Sequence, residues 1–321
     1  MFDTIKLEKS MYNLSNKSFS QRLEELDPSE NYVGTAYEGL DSFERQLKRF
    51  DIKVAGPDCD KVEKFFTSSE SAVLFPEFVK RTLSEAFNSE IVYDIFATTT
   101  KVKGINYNPP LMTSTSGWGS AVAQGATFAG ATIMENTTPI PLEKYGATIK
   151  TSYEFLRCQN LDTFKVFLST FGRNTGVSLL GNLIAKLTLA PTNPAHYEGT
   201  TLQYSDFLTL YGSSNHITSI LIPTILVGAV TSMEEIKDCK INEKGRIVLP
   251  FGPEIVFVKS WTHNKILGID RRCALELVKG SDIIVDTDKL IDTQMDALTY
   301  SVSANVNVLY PSRAIVMVPS A

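Results

Sequence analysis

Residues 300–310 read YSVSANVNVLY, and every second residue of this stretch is apolar. The apolar positions are Tyr300, Val302, Ala304, Val306, Val308 and Tyr310. Because successive side chains of a strand point to opposite faces, a period of two places all of these on one face. The stretch therefore predicts a long antiparallel strand that is half-buried. Pro311 ends it, and residues 314–318 are expected to return as its neighbour.

A long helix is predicted in the middle of the chain, after a strand at residues 147–152. Asn160 or Asp162 can cap it, and its apolar pattern continues to about Leu189. The apolar positions of the first half are Leu161, Phe164, Phe167, Leu168 and Phe171, and those of the second half, on a rotated face, are Val177, Leu180, Ile184 and Leu187. Gly172 and Gly176 mark the change of face, which favours close packing or a bend.

Residues 97–139 are rich in Thr, Ser, Gly and Ala and contain few charges. They include Pro109, Pro110 and the triplet Gly117-Trp118-Gly119. Such a composition rarely packs a core of its own and predicts an extended hairpin or long loop that contacts a partner. A disordered insertion is the alternative.

The amino-terminal arm differs from the rest of the chain, because 18 of its first 55 residues are charged. Leu40, Phe43, Leu47 and Phe50 recur at helical spacing before the break at Gly56-Pro57. This apolar stripe on a charged helix indicates a partner surface. The helix either folds back on its own domain or pairs between subunits like a scaffold, and the sequence leaves both open.

Beyond Pro194, short helical and strand signals alternate, with buried strands predicted at residues 255–258 and 283–285. They indicate a compact mixed unit, so the fold class of the whole chain is α+β. The 321 residues are 43% hydrophobic and can bury a large core.

The net charge of -5 argues against tight, autonomous binding of nucleic acid, although many weak contacts in an assembly remain compatible with it. The amino terminus has no secretory pattern, and the longest apolar run, residues 220–230, is about half a membrane span. A soluble protein made in a cytoplasm is expected. The four cysteines, which are predicted to be reduced and mostly buried, are Cys59, Cys158, Cys239 and Cys273.

The sequence contains few of the motifs that carry catalysis or metal binding. His196, His216 and His263 have no second metal ligand at helical or hairpin spacing. Nucleophile-elbow, phosphate-loop and dinucleotide motifs do not occur, and the acidic pair Glu234-Glu235 is explained by a helix start. We therefore predict no catalytic, cofactor-binding or metal-binding residue, no cofactor, and a protein that is not an enzyme.

Four segments of the sequence carry a resemblance to a known family, and they are FSQRLEELDPSE at residues 19–30, GLDSFERQLKRFDIK at 39–53, AVLFPEFV at 72–79 and ATTTK at 97–101. They resemble tailed-bacteriophage major capsid proteins of the Hong Kong-ninety-seven-like (HK97-like) fold, which encapsulins share. The resemblance implies a charged helical arm at residues 1–56, an N-arm at 57–96, an extension loop at 97–139, a peripheral domain at 140–194 and 286–321 that contains the long spine helix and antiparallel strands, and an axial domain at 195–285.

The resemblance implies a structural subunit that self-assembles into the pentamers and hexamers of an icosahedral bacteriophage shell around double-stranded DNA. The expected location is the virion, after assembly in the cytoplasm of a bacterial host. Expected partners are other copies of the chain, the packaged DNA by non-specific contact and, in addition, portal, prohead protease, scaffold or decoration proteins; no membrane is expected. The alternative is an encapsulin-type compartment that holds cargo enzymes, and the charged arm favours the capsid over it.

Some such relatives carry two covalent modifications, which the resemblance also suggests for this chain. A protease could remove the arm before Gly56-Pro57. An isopeptide bond could join Lys101 or Lys103 to Asn305 or Asn307, although no acidic residue follows Asn307 in the sequence.

Overall fold

The computed structural model describes residues 4–12, 17–114, 121–128, 130–189, 195–197, 202–213, 216–280, 283–290 and 292–319. Its α-helices are α1 (Phe19–Leu26), α2 (Ser42–Arg49), α3 (Ser69–Ala72), α4 (Leu74–Glu90), α5 (Tyr153–Cys158), α6 (Leu161–Leu189), α7 (Tyr204–Ser213), α8 (Val227–Thr231) and α9 (Glu234–Lys237).

The strands of the first half of the chain are β1 (Thr98–Lys101), β2 (Asn106–Tyr107), β3 (Pro110–Ser114), β4 (Ala131–Glu135), β5 (Ile140–Pro141) and β6 (Glu143–Ser152). Those of the second half are β7 (Ala195–Tyr197), β8 (Ser219–Pro223), β9 (Lys240–Ile241), β10 (Ile247–Val248), β11 (Glu254–Val258), β12 (Ile266–Ile269), β13 (Leu275–Lys279), β14 (Ile284–Leu290), β15 (Met295–Val308) and β16 (Ala314–Pro319). This mixture confirms the predicted α+β class, and α6 confirms the long helix.

The chain divides into two compact units, each built from three separate ranges. Unit 1 comprises Met1–Glu90, Gly146–Gly176 and Ile283–Ser301, and unit 2 comprises Ile91–Tyr145, Val177–Asp282 and Val302–Ala321. Three elements, β6, α6 and β15, contribute residues to both units. The boundaries predicted for the N-arm, the extension loop and the peripheral and axial domains stay predictions.

The charged arm at the start of unit 1 folds against its own unit. Ser18 and Asp41 cap α1 and α2, and each accepts a hydrogen bond from the backbone amide three residues later. The apolar side chains that these helices bury are Phe19, Leu23, Phe43 and Leu47. Of the two interpretations of the stripe at residues 40–50, the structure therefore supports a helix that folds back on its own domain.

The first half of α6 packs closely against α4 in unit 1. A Cβ atom built on Gly172 would lie 2.6 Å from the carbonyl oxygen of Leu83, and one on Gly176 would lie 2.7 Å from that of Phe87. The two glycines thus provide the predicted close packing. The predicted apolar face was partly wrong, because Phe167 and Phe171 are exposed.

A seven-stranded sheet forms the largest part of unit 2, in the order β7-β16-β12-β8-β11-β10-β9. In it β8 and β11 are parallel, whereas β12 is antiparallel to both β8 and β16. Its core is aliphatic and aromatic, and includes Phe207, Leu210, Ile220, Ile222, Ile255, Ile266 and Met317. The predicted buried strand at residues 255–258 is confirmed as β11.

Two predictions for the carboxyl-terminal strands were wrong. Residues 314–318 do not return beside β15; after a turn at Pro311–Arg313 they form β16, which pairs with β12 and β7. The partners of β15 are instead β13, β14 and β6. The prediction of a buried strand at residues 283–285 was partly wrong: Ile283 is buried, whereas Ile284, the first residue of β14, is exposed.

The long strand β15 is antiparallel to β13 and β14, as predicted, but it is not half-buried. Its polar positions Asn305 and Asn307 are as deeply buried as the apolar Val306 between them. Buried polar groups require hydrogen-bond partners, so another part of unit 2 must cover this face and satisfy it.

Candidate assembly surface

The predicted extended hairpin is present in unit 2. β3 and β4 pair antiparallel from Pro110 opposite Glu135 to Ser114 opposite Ala131. Together they form a separate two-stranded sheet. We call residues 105–142 the extension hairpin.

The described part of this hairpin exposes large apolar side chains. Phe128 is 80% exposed and Ile133 is 71% exposed, and Ile105 and Met134 are exposed as well. A two-stranded hairpin is only marginally stable in water, because neither face is covered. Exposed apolar side chains on such a hairpin indicate that a partner surface covers them.

Two short strands form the root of the extension hairpin, where it joins the rest of unit 2. Asn106 of β2 pairs with Pro141 of β5, and Tyr107 pairs with Ile140. The amide of Leu142 also donates a 2.7 Å hydrogen bond to the carbonyl of Ile105. The two paired strands at the root are therefore only two residues long each.

The polar face of β15 lies beneath this root, next to the buried carboxylate of Glu276 in β13. One oxygen of Glu276 accepts hydrogen bonds from the hydroxyls of Thr100 and Tyr107, and the other accepts from the side-chain amide of Asn307 at 3.0 Å. Burial, and then the neighbouring Glu276, raise the pKa of Tyr107 to about 12. The hydroxyl therefore remains a donor at neutral pH.

Asn305 makes a second connection to the root. Its side-chain amide donates a 2.6 Å hydrogen bond to the carbonyl of Pro141, and its side-chain oxygen accepts from the amide of Val306. Both strands of the root are therefore attached to the sheet, β2 through Tyr107 and β5 through Pro141. We call Thr100, Tyr107, Glu276, Asn305 and Asn307 the root cluster.

Sequence reasoning did not find this cluster. Glu276 is separated from Thr100 by 176 positions along the chain and from Tyr107 by 169, so no local spacing relates them. The only available signal was the run of polar residues on one face of β15. Asn305 and Asn307 are also the predicted cross-linking residues, and the structure places the carboxylate of Glu276 beside Asn307. Cross-linking to Lys101 or Lys103 stays a prediction.

A second polar cluster in unit 2, which is only partly buried, joins Asp94 to the sheet. The guanidinium of Arg246 donates to both oxygens of Asp94 at 2.8 and 2.9 Å, and Lys244 donates at 2.6 Å. Arg246 also contacts Glu254, which accepts from Arg271 at 2.6 Å. Burial alone would raise the pKa of Asp94, but hydrogen bonds from Arg246 and Lys244 outweigh it and lower the pKa to about 2.

This depressed pKa predicts how acid affects stability. A carboxylate with a pKa near 2 when folded and about 3.9 when unfolded contributes its stability above pH 4 and loses it as the pH falls to 2. We expect wild type to be more stable than Asp94→Asn at pH 6, and the difference to shrink towards zero at pH 2. Urea unfolding from pH 6 to 2 measures it, with the exposed Asp58→Asn as control. A difference that does not change with pH would contradict the assignment.

The structure also bears on metal ligands, membrane spans, the cysteines and the acidic pair named in the sequence. Within the described residues, no group of three His, Cys, Asp or Glu side chains could hold a metal ion, and no helix is long and apolar enough to cross a membrane. The prediction of mostly buried cysteines was wrong: Cys158 is exposed and the other three are half-buried. Glu234 and Glu235 lie in the first turn of α9, as expected.

No protein-family model matches the sequence, and no curated protein matches it. Solved structures do match. A virus-like particle from Pyrococcus furiosus is 11% identical, with a TM-score of 0.55 over 75% of this chain and 98% of that one. The capsid of a Helicobacter pylori bacteriophage is 10% identical, with a TM-score of 0.52 over 70% and 87%. The capsid of a native GTA particle is 14% identical, with a TM-score of 0.50 over 74% and 91%.

The chain has the HK97-like capsid fold. The resemblance noted in the sequence is confirmed at the level of the fold, at identities so low that only the backbone arrangement is shared. Within this HK97-like fold, α6 is the long helix, and the extension hairpin carries the exposed apolar side chains of Ile105, Phe128, Ile133 and Met134.

Proposed function

We propose that the chain is the major capsid protein of a tailed bacteriophage, a structural subunit that self-assembles into pentamers and hexamers and encloses double-stranded DNA. The observation that carries the proposal is the extension hairpin, whose apolar side chains are exposed on a two-stranded sheet. In a closed symmetric shell, every copy of the hairpin would be covered by a neighbouring copy of the same chain. The HK97-like fold supports the same function.

Further parts of the proposal follow from this role. Other copies are the main partners, with DNA contacts that are non-specific and weak for each subunit, in keeping with the net charge of -5. Portal, prohead protease, scaffold and decoration proteins are additional candidate partners. The chain acts as a structural protein and not as an enzyme, and its location is the virion after assembly in the host cytoplasm.

The second candidate is an encapsulin-type compartment, because encapsulins share the HK97-like fold and one matching structure is a virus-like particle. Nucleic-acid and protein content separate the two functions. Particles purified from the native source would contain DNA of genome length in a capsid, and a co-purifying enzyme in a compartment.

Assembly itself is tested with the recombinant full-length chain. We expect size-exclusion chromatography and negative-stain electron microscopy to show closed shells, or rings of five and six. If the chain remains a monomer after co-expression with scaffold and prohead protease, the proposed function is wrong.

The role of the hairpin is tested by placing a charge on it. We expect Ile133→Asp to keep the subunit folded but to shift it from shells to monomers or single rings, because burying an unpaired carboxylate at a contact is costly. The matched control is Val33→Asp, which is equally exposed at 71% but lies in the arm of unit 1. Circular dichroism checks folding, and shells of normal yield from Ile133→Asp would exclude the hairpin as a contact.

A further inference from the structure

We propose that Glu276 is a positioning residue that fixes the direction in which the extension hairpin leaves the subunit, so that the root cluster selects one shell size. This inference rests on the proposed shell function. It concerns how the hairpin is held, which neither the fold nor the exposed residues determine.

The carboxylate of Glu276 joins three elements that are otherwise separate in the sequence. It is only 2% exposed, and it accepts from Thr100 in β1, Tyr107 in β2 and Asn307 in β15. An ionised carboxylate only accepts hydrogen bonds and has about four lone-pair sites, so it can satisfy three donors at once. No cationic side chain among the described residues forms an ion pair with it.

Such an arrangement is an inefficient way to stabilise a core. A buried charge needs all of its hydrogen bonds merely to offset desolvation, and well-packed apolar side chains often serve stability equally well. What the carboxylate adds is direction, because each donor must lie at a defined angle and distance. In the root cluster, the donor on the hairpin is the hydroxyl of Tyr107.

Because Tyr107 lies at the root of the hairpin, a small change in its orientation moves the far end of the hairpin by several ångströms. The paired strands of the root are two residues long each, and two hydrogen bonds that involve side chains join them to the sheet: the hydroxyl of Tyr107 donates to Glu276, and the backbone carbonyl of Pro141 accepts from Asn305. Ser114, at the far end of β3, lies seven residues from Tyr107, which is about 23 Å at the usual rise of a strand. A rotation of about 10° at the root would therefore move that end by about 4 Å, enough to change where it meets a neighbouring copy and hence the curvature between subunits.

The test removes one hydroxyl. We expect Tyr107→Phe to fold normally and to assemble, but into shells of several sizes where wild type makes one, as measured by electron microscopy of the full-length chain. We also expect amide hydrogen exchange in peptides that cover residues 102–109 and 139–146 to accelerate about tenfold or more, which matches the loss of a hydrogen bond to a charged acceptor. A purely structural loss would lower the melting temperature without broadening the size distribution.

The control is Tyr145→Phe, because the hydroxyl of Tyr145 donates to Glu143 at the same 3.0 Å distance, outside the root cluster. It should assemble like wild type. Uniform shells of wild-type size from Tyr107→Phe would overturn the inference. If Tyr107→Phe does not fold, Thr100→Val decides in the same way, with mixed sizes supporting the role of Glu276 and one size overturning it. A wild-type chain that never assembles contradicts the proposed function itself.

Discussion

We expect Arg45→Ala to lower the free energy of unfolding of unit 1 by about 3–5 kcal/mol, because it removes one partner of a buried ion pair. The side chain of Arg45 is completely buried. Its Nε donates to the carboxylate of Asp27 at 2.6 Å, and its terminal nitrogens donate to the carbonyls of Asp27 and Leu40, both at 2.6 Å. The guanidinium also lies 4.3 Å from the centre of the Tyr32 ring. Alanine would leave the buried Asp27 carboxylate with Tyr32 as its remaining hydrogen-bond donor.

Urea unfolding and limited proteolysis measure this effect, with early cleavage within residues 17–50 as the local sign. The control is Arg22→Ala, because Arg22 is 39% exposed and pairs with Glu25 on the same surface of α1. Exposed pairs of this kind contribute about 0–1 kcal/mol. Equal losses for the two variants would mean that the Arg45 network does not hold the arm.

The same network bears on the proposed removal of the arm, which stays a prediction. The arm contributes Phe19, Leu23, Phe43 and Leu47 to the buried interior of unit 1. Cleavage at Gly56-Pro57 followed by release would uncover the surfaces against which these side chains pack. Release would therefore need a compensating contact, which a neighbouring copy would provide in the proposed shell.

Local patterns predicted the elements that depend on local physics. The period-two alternation at residues 300–310 identified β15, and the helical spacing of apolar residues identified α2 and α6 within a few residues. Residues 97–139 are rich in Thr, Ser, Gly and Ala and contain few charges, and this composition indicated an extended hairpin or long loop, because such a stretch rarely packs a core of its own. Each of these conclusions needed only neighbours in the sequence.

Long-range pairing explains the errors. Nothing local to residues 314–318 states that β16 pairs with β12 and not with β15, because an apolar strand is compatible with either edge. The polar face of β15 was expected to meet water, and instead meets Glu276 and the root of the hairpin. The root cluster could not be predicted because its members converge only after the sheet has formed.

A second large effect is expected where α6 approaches α4. We expect the double variant Gly172→Ala/Gly176→Ala to lower the free energy of unfolding by about 2–5 kcal/mol, through overpacking at two adjacent positions. Each new methyl group would lie within 2.7 Å of a backbone carbonyl oxygen, a contact that only movement of one helix can relieve. Backbone atoms cannot change rotamer, so the cost falls on the packing of the whole helix pair.

The matched control reverses the sign. Gly212 in α7 and Gly228 in α8 have no atom within 4 Å of an added Cβ, so Gly212→Ala/Gly228→Ala tests helix propensity alone. Alanine is favoured over glycine by about 0.8–1.0 kcal/mol in a helix interior, and less near helix ends, so this variant should be unchanged or slightly more stable. Urea unfolding of both variants separates the two causes. If Gly172→Ala/Gly176→Ala were also neutral or stabilising, then α6 would not depend on close approach to α4, and the glycines at the change of face would need another explanation.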